Sequence, residues 1–145
     1  MKILALDVGH KRIGMAKTDG LGIGVWPLQT LQRRSLSQDL EGIFEILESD
    51  QVEKIVVGLP LSMNGSESPQ TQKTRTFANQ LKRYLHEKGH PLPVDYWDER
   101  LSSWEAEETL SQAGIKTKKN KGLLDAEAAC VILRDYLSIN GFSPS

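Results

Sequence analysis

Three places in this chain hold carboxylates where burial makes a charge costly. Asp7 interrupts the apolar run Ile3-Leu4-Ala5-Leu6 and Val8, just before Gly9. A carboxylate there needs a partner or a metal, although a cap on the Gly9 turn is the plainer alternative. Asp98 and Glu99 follow the apolar stretch that ends at Trp97, and Arg100 comes next. The C-terminal ends of strands beside a change in sheet order are where open α/β sheets build sites. A solvated loop with an Asp–Arg pair is the competing reading. Asp125 stands in the first turn of the most apolar helical stretch, where an acid also complements the helix dipole. If these acids meet over one sheet edge they repel, and each raises the pKa of the others. Divalent cations relieve that repulsion, and Mg²⁺ takes a few carboxylates plus water and phosphate oxygens. A pair of such ions suits phosphodiester hydrolysis. His10, His86 and His90 are scattered and make no zinc set with the lone Cys130. Of the three, only His10, beside the Asp7 loop, is placed to assist a proton transfer. His86 and His90 read as exposed residues at a helix end, and Cys130 reads as an inert core thiol.

Cations gather near the acids. Lys11 and Arg12 follow Asp7, Arg100 follows Glu99, and four lysines (Lys116, Lys118, Lys119 and Lys121) precede Asp125. A lysine run usually marks a solvated loop; beside a metal ligand it also suits phosphate contact. Gly58-Leu59-Pro60 and Asn64-Gly65 read as a loop whose amides approach a phosphate, with ordinary turn chemistry as the alternative. Trp26, Trp97 and Trp104 have the type for base stacking, but core packing is the expectation for Trp97.

The elements that must position these residues follow from periodicity. Ile3 to Val8 is an apolar run interrupted only by Asp7, the mark of a central strand buried on both faces. Arg12 to Lys17 follows as a second strand, and Asp19-Gly20 is a hairpin signal. A third strand is expected over Ile23 to Leu31, with Pro27 making its middle an edge or bulge. Leu36, Leu40, Ile43, Phe44 and Leu47 recur at helical spacing behind a Ser35–Gln38 capping box. Val52 to Val57 reads as a buried strand. Ser68-Pro69 opens a helix that Gly89 stops, and Pro93 to Trp97 is a fifth strand. Ser102 and Glu105 cap a helix that ends at Gly114. Lys116 to Lys121 is a loop, and Leu123 to Leu137 is a deeply packed helix whose polar stripe is Glu127, Arg134 and Ser138. The expected architecture is α/β. It has a mixed five-stranded sheet, the first three strands antiparallel, with helices on both faces. One domain is expected over 1–140, with a frayed tail at 141–145.

The 145 residues, 39% hydrophobic and 26% charged, fit one folded domain. One cysteine excludes a disulfide framework or a CxxC zinc site and suits a reducing compartment. No apolar run reaches the ~18 residues of a membrane span, and no signal peptide follows Met1. A cytoplasmic protein without a membrane partner is expected. The formal net charge of -1 gives no hint of nucleic acid. That total conceals the local pattern: the candidate ligands are acids that bound cations neutralise, and basic residues stand beside them.

Four motifs in order carry a family resemblance. They are Asp7-Val8-Gly9-His10-Lys11-Arg12-Ile13-Gly14, Val57-Gly58-Leu59-Pro60-Leu61 with Asn64-Gly65, Asp98-Glu99-Arg100-Leu101-Ser102, and Lys121-Gly122-Leu123-Leu124-Asp125-Ala126-Glu127-Ala128-Ala129. Together they resemble the YqgF/RuvX family of RuvC-like, Holliday-junction-resolvase-like proteins, from Ile3 to about Leu137. The resemblance implies an RNase H-like fold and a cytoplasmic nuclease dependent on Mg²⁺ or Mn²⁺ that processes the 5′ end of precursor 16S ribosomal RNA. It maps the metal-binding catalytic acids onto Asp7, Glu99 and Asp125, with Asp98 as the neighbour that spacing does not separate from Glu99. Lys11, Arg12, Gly58, Arg100, Lys118, Lys119 and Lys121 are the expected substrate contacts. Structured RNA is the expected partner of a monomer or homodimer. Branched DNA, and a non-catalytic ribosome-assembly or transcription-associated factor, are the rival readings. An actin-like sugar-kinase or chaperone ATPase needs two such domains, more than this length supplies.

Overall fold

The computed structural model describes residues 1–21, 24–62, 64–98 and 121–139, without the side chains of 121–124. The expected helix between Ser102 and Gly114, the lysines at 116–119 and the tail lie outside the described residues. The elements are β1 (Ile3–Val8), β2 (Arg12–Thr18), β3 (Val25–Pro27), β4 (Leu31–Gln32), α1 (Leu36–Ser49), β5 (Lys54–Leu59), α2 (Pro69–Glu87), β6 (Val94–Asp98) and α3 (Lys121–Ile139). One sheet has the order β3-β2-β1-β5-β6, with β4 also paired to β2. β1 is antiparallel to β2 and parallel to β5, and β5 is parallel to β6.

The described sheet thus has six strands where five were expected. The third expected strand is two short ones. Pro27 pairs with Ala16 but brings no amide to the ladder. From Ala16–Pro27 to Ile13–Leu31, β2 advances three residues and its partner four, so one residue is bulged out. The Leu28 amide bonds the Met15 carbonyl at 2.9 Å, and the chain rejoins β2 at Leu31. The bulge sets the register of everything that follows it along that edge.

Strand alternation divides the core into two layers. Leu4, Leu6, Ile13, Met15, Ile55 and Val57 pack with Ile43, Leu47, Phe77 and Leu81 of α1 and α2. Ile3, Ala5, Ala16 and Val56 pack with Ala129, Cys130, Ile132 and Leu133 of α3. Burial on both faces is why β1 is apolar at every position but Asp7. α3 is buried nearly all round from Ala126 to Leu133, as its apolar composition requires.

The caps stand where the sequence signals place them, but the Ser35–Gln38 box is only half made: Ser35 Oγ accepts from the Gln38 amide at 3.1 Å, while Gln38 Oε1 accepts from the Ser35 hydroxyl. At α2, Ser68 and Thr71 exchange side-chain and backbone bonds in a full capping box. The Thr71 hydroxyl also donates to the Pro60 carbonyl, tying α2 to the end of β5. Gly89 leaves α2 at φ +72°, a left-handed conformation that favours glycine. No described helix is long and apolar enough to cross a membrane.

At the far end of the sheet, Lys54 bonds Asp95 at 2.8 Å and Tyr136 donates to the same carboxylate. The hydrogen bond to Asp95 holds the Lys54 pKa up, and the bond from Lys54 holds the Asp95 pKa down. Burial raises the Tyr136 phenol too, so the network's contribution is fully present between pH 3.8 and 10.0, the ordinary values of Asp95 and Tyr136. It is lost as pH falls through the depressed Asp95 value, or rises through the elevated Lys54 value. The expected outcome is a destabilisation of Asp95→Asn that is constant at neutral pH and vanishes in acid, read from urea midpoints across pH.

Candidate functional site

Asp7 belongs to the α3 face, because it continues the alternation Ile3, Ala5, Asp7. Its partner in β2 is Gly14. On the other side, Gly58 stands one residue past the Leu6–Val57 pair, so it neighbours Asp7 in β5. A half-buried carboxylate thus lies between two glycines in one row across the sheet. Neither neighbour puts a side chain over it.

Gly58 is a correction to the expected loop placement. It is buried inside β5 and pairs with Trp97, because the apolar run extends through Leu59 before Pro60 ends the ladder. Trp97 packs against the α3 layer, as its expected core role requires.

Gly14 explains how Asp125 reaches this row. A Cβ on Gly14 would overlap the Asp125 carbonyl and lie 3.0 Å from the Asp125 Cβ. The first turns of α3 therefore rest directly on β2, beside Asp7. An isolated glycine inside a strand is the sequence signal for such an approach. Arg12, two residues before Gly14 on the same face, holds Asp125 by Nε to Oδ2 at 2.9 Å. Its side chain is 23% exposed and that of Asp125 is 27% exposed, so the pair is partly screened. The expected phosphate contact at Arg12 is thus also a clamp on an expected metal ligand.

Asp98 is separated from this group by the pleat. Trp97 packs in the α3 layer, whereas Val94 and Tyr96 pack in the other. Asp98 shares the parity of Val94 and Tyr96 and so falls on the face opposite Asp7. Glu99, Arg100, Lys118 and Lys119 lie outside the described residues. Lys121, expected in a loop, begins α3. The helix therefore starts two residues before the apolar signal at Leu123. Among the described residues, no three His, Cys, Asp or Glu side chains assemble as a metal group.

Lys11 and His10 are exposed on the turn that joins β1 to β2. Gly9 closes that turn with its amide 2.8 Å from the Arg12 carbonyl, and a Cβ there would lie 2.7 Å from the same oxygen. His90, expected to be exposed, is instead half-buried with its ring 6.1 Å from Phe44. Cys130 is fully buried, and burial lifts its thiol to about 11. About one molecule in a thousand is then thiolate at pH 8. Native protein is expected to resist iodoacetamide, with full labelling after unfolding, as read by intact mass.

Comparison with known proteins bears on the family and the fold. The family model described as "RuvX: Holliday junction resolvase" matches residues 1–139. A Syntrophomonas wolfei protein with the name "Putative pre-16S rRNA nuclease" is 45% identical over 137 residues, covering 94% of each chain. A Synechococcus protein of the same name is 44% identical over 134 residues, 92% of this chain and 87% of that one. Among solved structures, T. thermophilus RuvC in complex with a Holliday junction substrate superposes with TM-score 0.59 at 14% identity, over 97% and 96% of the two chains. Fowlpox virus resolvase with Holliday junction DNA gives 0.60 at 12%, over 97% and 99%. At such identities these two show the fold, which is RNase H-like.

Proposed function

The chain belongs to the RuvX Holliday junction resolvase family, and from that premise we propose that it is a divalent-metal-dependent nuclease that matures the 5′ end of precursor 16S ribosomal RNA in the cytoplasm. The observation that carries the chemistry is the row in which Asp7 lies between Gly14 and Gly58 while α3 lowers Asp125 onto Gly14.

An all-carboxylate donor set fits a hard cation. Asp7 and Asp125 would hold Mg²⁺ or Mn²⁺, with Glu99 as the third ligand. Glu99 enters from the sequence resemblance; Asp98, on the face opposite Asp7, does not compete with it for that role. When bound, the cations supply a water activated for attack and stabilise the leaving oxygen. The chain's own residues do the positioning. Arg12 fixes the Asp125 rotamer and keeps a cation at the row. Lys11, exposed on the adjoining turn, binds the phosphate backbone, as do Arg100 and the lysines at 118, 119 and 121. Phosphate contacts of this kind fix register and carry no base identity.

The test is cleavage of a precursor 16S 5′ fragment and of a four-way DNA junction, side by side, in Mg²⁺ and Mn²⁺. Cleavage of the RNA at one site is the expected result. Preference for the junction moves the substrate to branched DNA, the reading that the family's description favours. Binding without cleavage in any divalent metal rejects the nuclease.

A further inference from the structure

We propose that Arg33, which no motif singles out, is a positioning residue that holds the Gly9–Lys11 turn in its phosphate-binding form; the proposal rests on the nucleic-acid reading above. Arg33 follows β4, and the Gln32–Arg12 pairing brings it beside that turn. Its amide donates to the Lys11 carbonyl at 2.9 Å. Its Nη1 donates to the Gly9 carbonyl at 2.9 Å, and its Nε to Asp39 Oδ2 at 3.2 Å. The guanidinium lies 5.0 Å from the centroid of Phe77, a buried α2 ring.

The arrangement is directional. Asp39 is 3% exposed in the first turn of α1, and its other oxygen accepts the Arg34 amide at 3.0 Å. A carboxylate so buried needs its cation. Once Asp39 and Phe77 fix the guanidinium plane, the remaining edge of the fork points at Gly9. The two carbonyls it secures, directly or through its own amide, bracket His10 and lie in the turn that carries Lys11 from Asp7 to Arg12. The bulge after Pro27 decides that Arg33, rather than Gln32, meets this turn. An exposed loop ordinarily frays on its own; this one is bonded by a half-buried arginine that a buried carboxylate holds beneath it.

Arg33→Lys tests the role, because an ammonium keeps Asp39 paired but lacks the planar fork that serves two acceptors together. Amide exchange at Gly9 is expected to quicken at least ~10-fold, with β1 and α1 unchanged. The Kd for a fluorescein-labelled RNA hairpin in metal-free buffer is expected to rise about fivefold. In a Lys11→Ala background the same substitution should change Kd by less than about twofold, since Arg33 acts through Lys11. Equal rises in both backgrounds, or Gly9 exchange as slow as in the wild type, overturn the proposal. If Arg33→Lys does not fold, Arg33→Gln with Asp39→Asn removes the buried charge with its partner and carries the same comparison. A wild type that binds the hairpin and cuts nothing in Mg²⁺ or Mn²⁺ rejects the nuclease alone. A wild type that binds no RNA overturns both.

Discussion

Replacing Asp7 with Asn is expected to lower metal-dependent cleavage by on the order of 10³-fold or more while leaving the fold intact. Asn nearly matches Asp in volume, so the site between Gly14 and Gly58 is neither emptied nor overfilled. What changes is charge: the row loses a carboxylate that a hard cation needs. The melting temperature should hold within a few degrees, because no large apolar surface is disturbed. Nucleic-acid affinity in metal-free buffer should hold or improve, since one negative charge leaves the face that meets phosphate. Single-turnover cleavage of the precursor fragment, with circular dichroism as the check on folding, measures all but the affinity. Cleavage by Asp7→Asn at the wild-type rate would remove Asp7 from the chemistry and the metal assignment with it.

Gly14→Ala is expected to have the largest effect on stability, about 3 kcal/mol, or roughly 10 °C in melting temperature for a chain of this size. The added methyl would collide with the backbone of Asp125, its carbonyl carbon and oxygen, and not with a side chain that can turn away. α3 cannot simply lift. Ala129, Cys130, Ile132 and Leu133 are packed against Ile3, Ala5, Ala16 and Val56 further along the same face. Relief must come from tilting the helix start, which moves Asp125 away from Arg12 and Asp7. Activity should therefore fall more than the loss of folded molecules explains. Gly20→Ala is the control: among the described residues its added methyl meets only the Lys2 Cε, at 3.9 Å. Thermal melts of the two variants, with cleavage per folded molecule, separate the local collision from a general glycine effect. A Gly14→Ala protein that melts with the wild type would mean that α3 does not rest on β2 at this point.

Much of the fold was legible because local patterns and tertiary packing agree. The run Ile3 to Val8 is buried on both sides, so its apolar residues have no gap to betray a face. The caps at Ser35 and Ser68 act within a few residues of themselves, and neither needs the rest of the chain. The acids were legible as odd types in apolar elements. Their grouping was only partly so. Spacing left Asp98 and Glu99 as equals, whereas the pleat of β6 puts Asp98 with Val94 and Tyr96, away from Asp7. The expected third strand failed at Pro27 for a reason that was visible, the missing amide. Its consequence, a one-residue bulge that brings Arg33 beside Lys11, depends on how the strand rejoins β2.

The chain by itself determined the order of elements, the two-faced burial of the first strand and the acids that could serve a metal. Those are written in periodicity and residue type, which act over a few positions. Tertiary structure alone decided which acids share a face, that Gly14 is the seat of α3, and that Arg33, held by the buried Asp39, underlies the Lys11 turn. Each of those depends on register between strands or on contact between residues distant in sequence. A shift of one residue in pairing would move every side chain of a strand to the other side of the sheet, and no local pattern records which register wins.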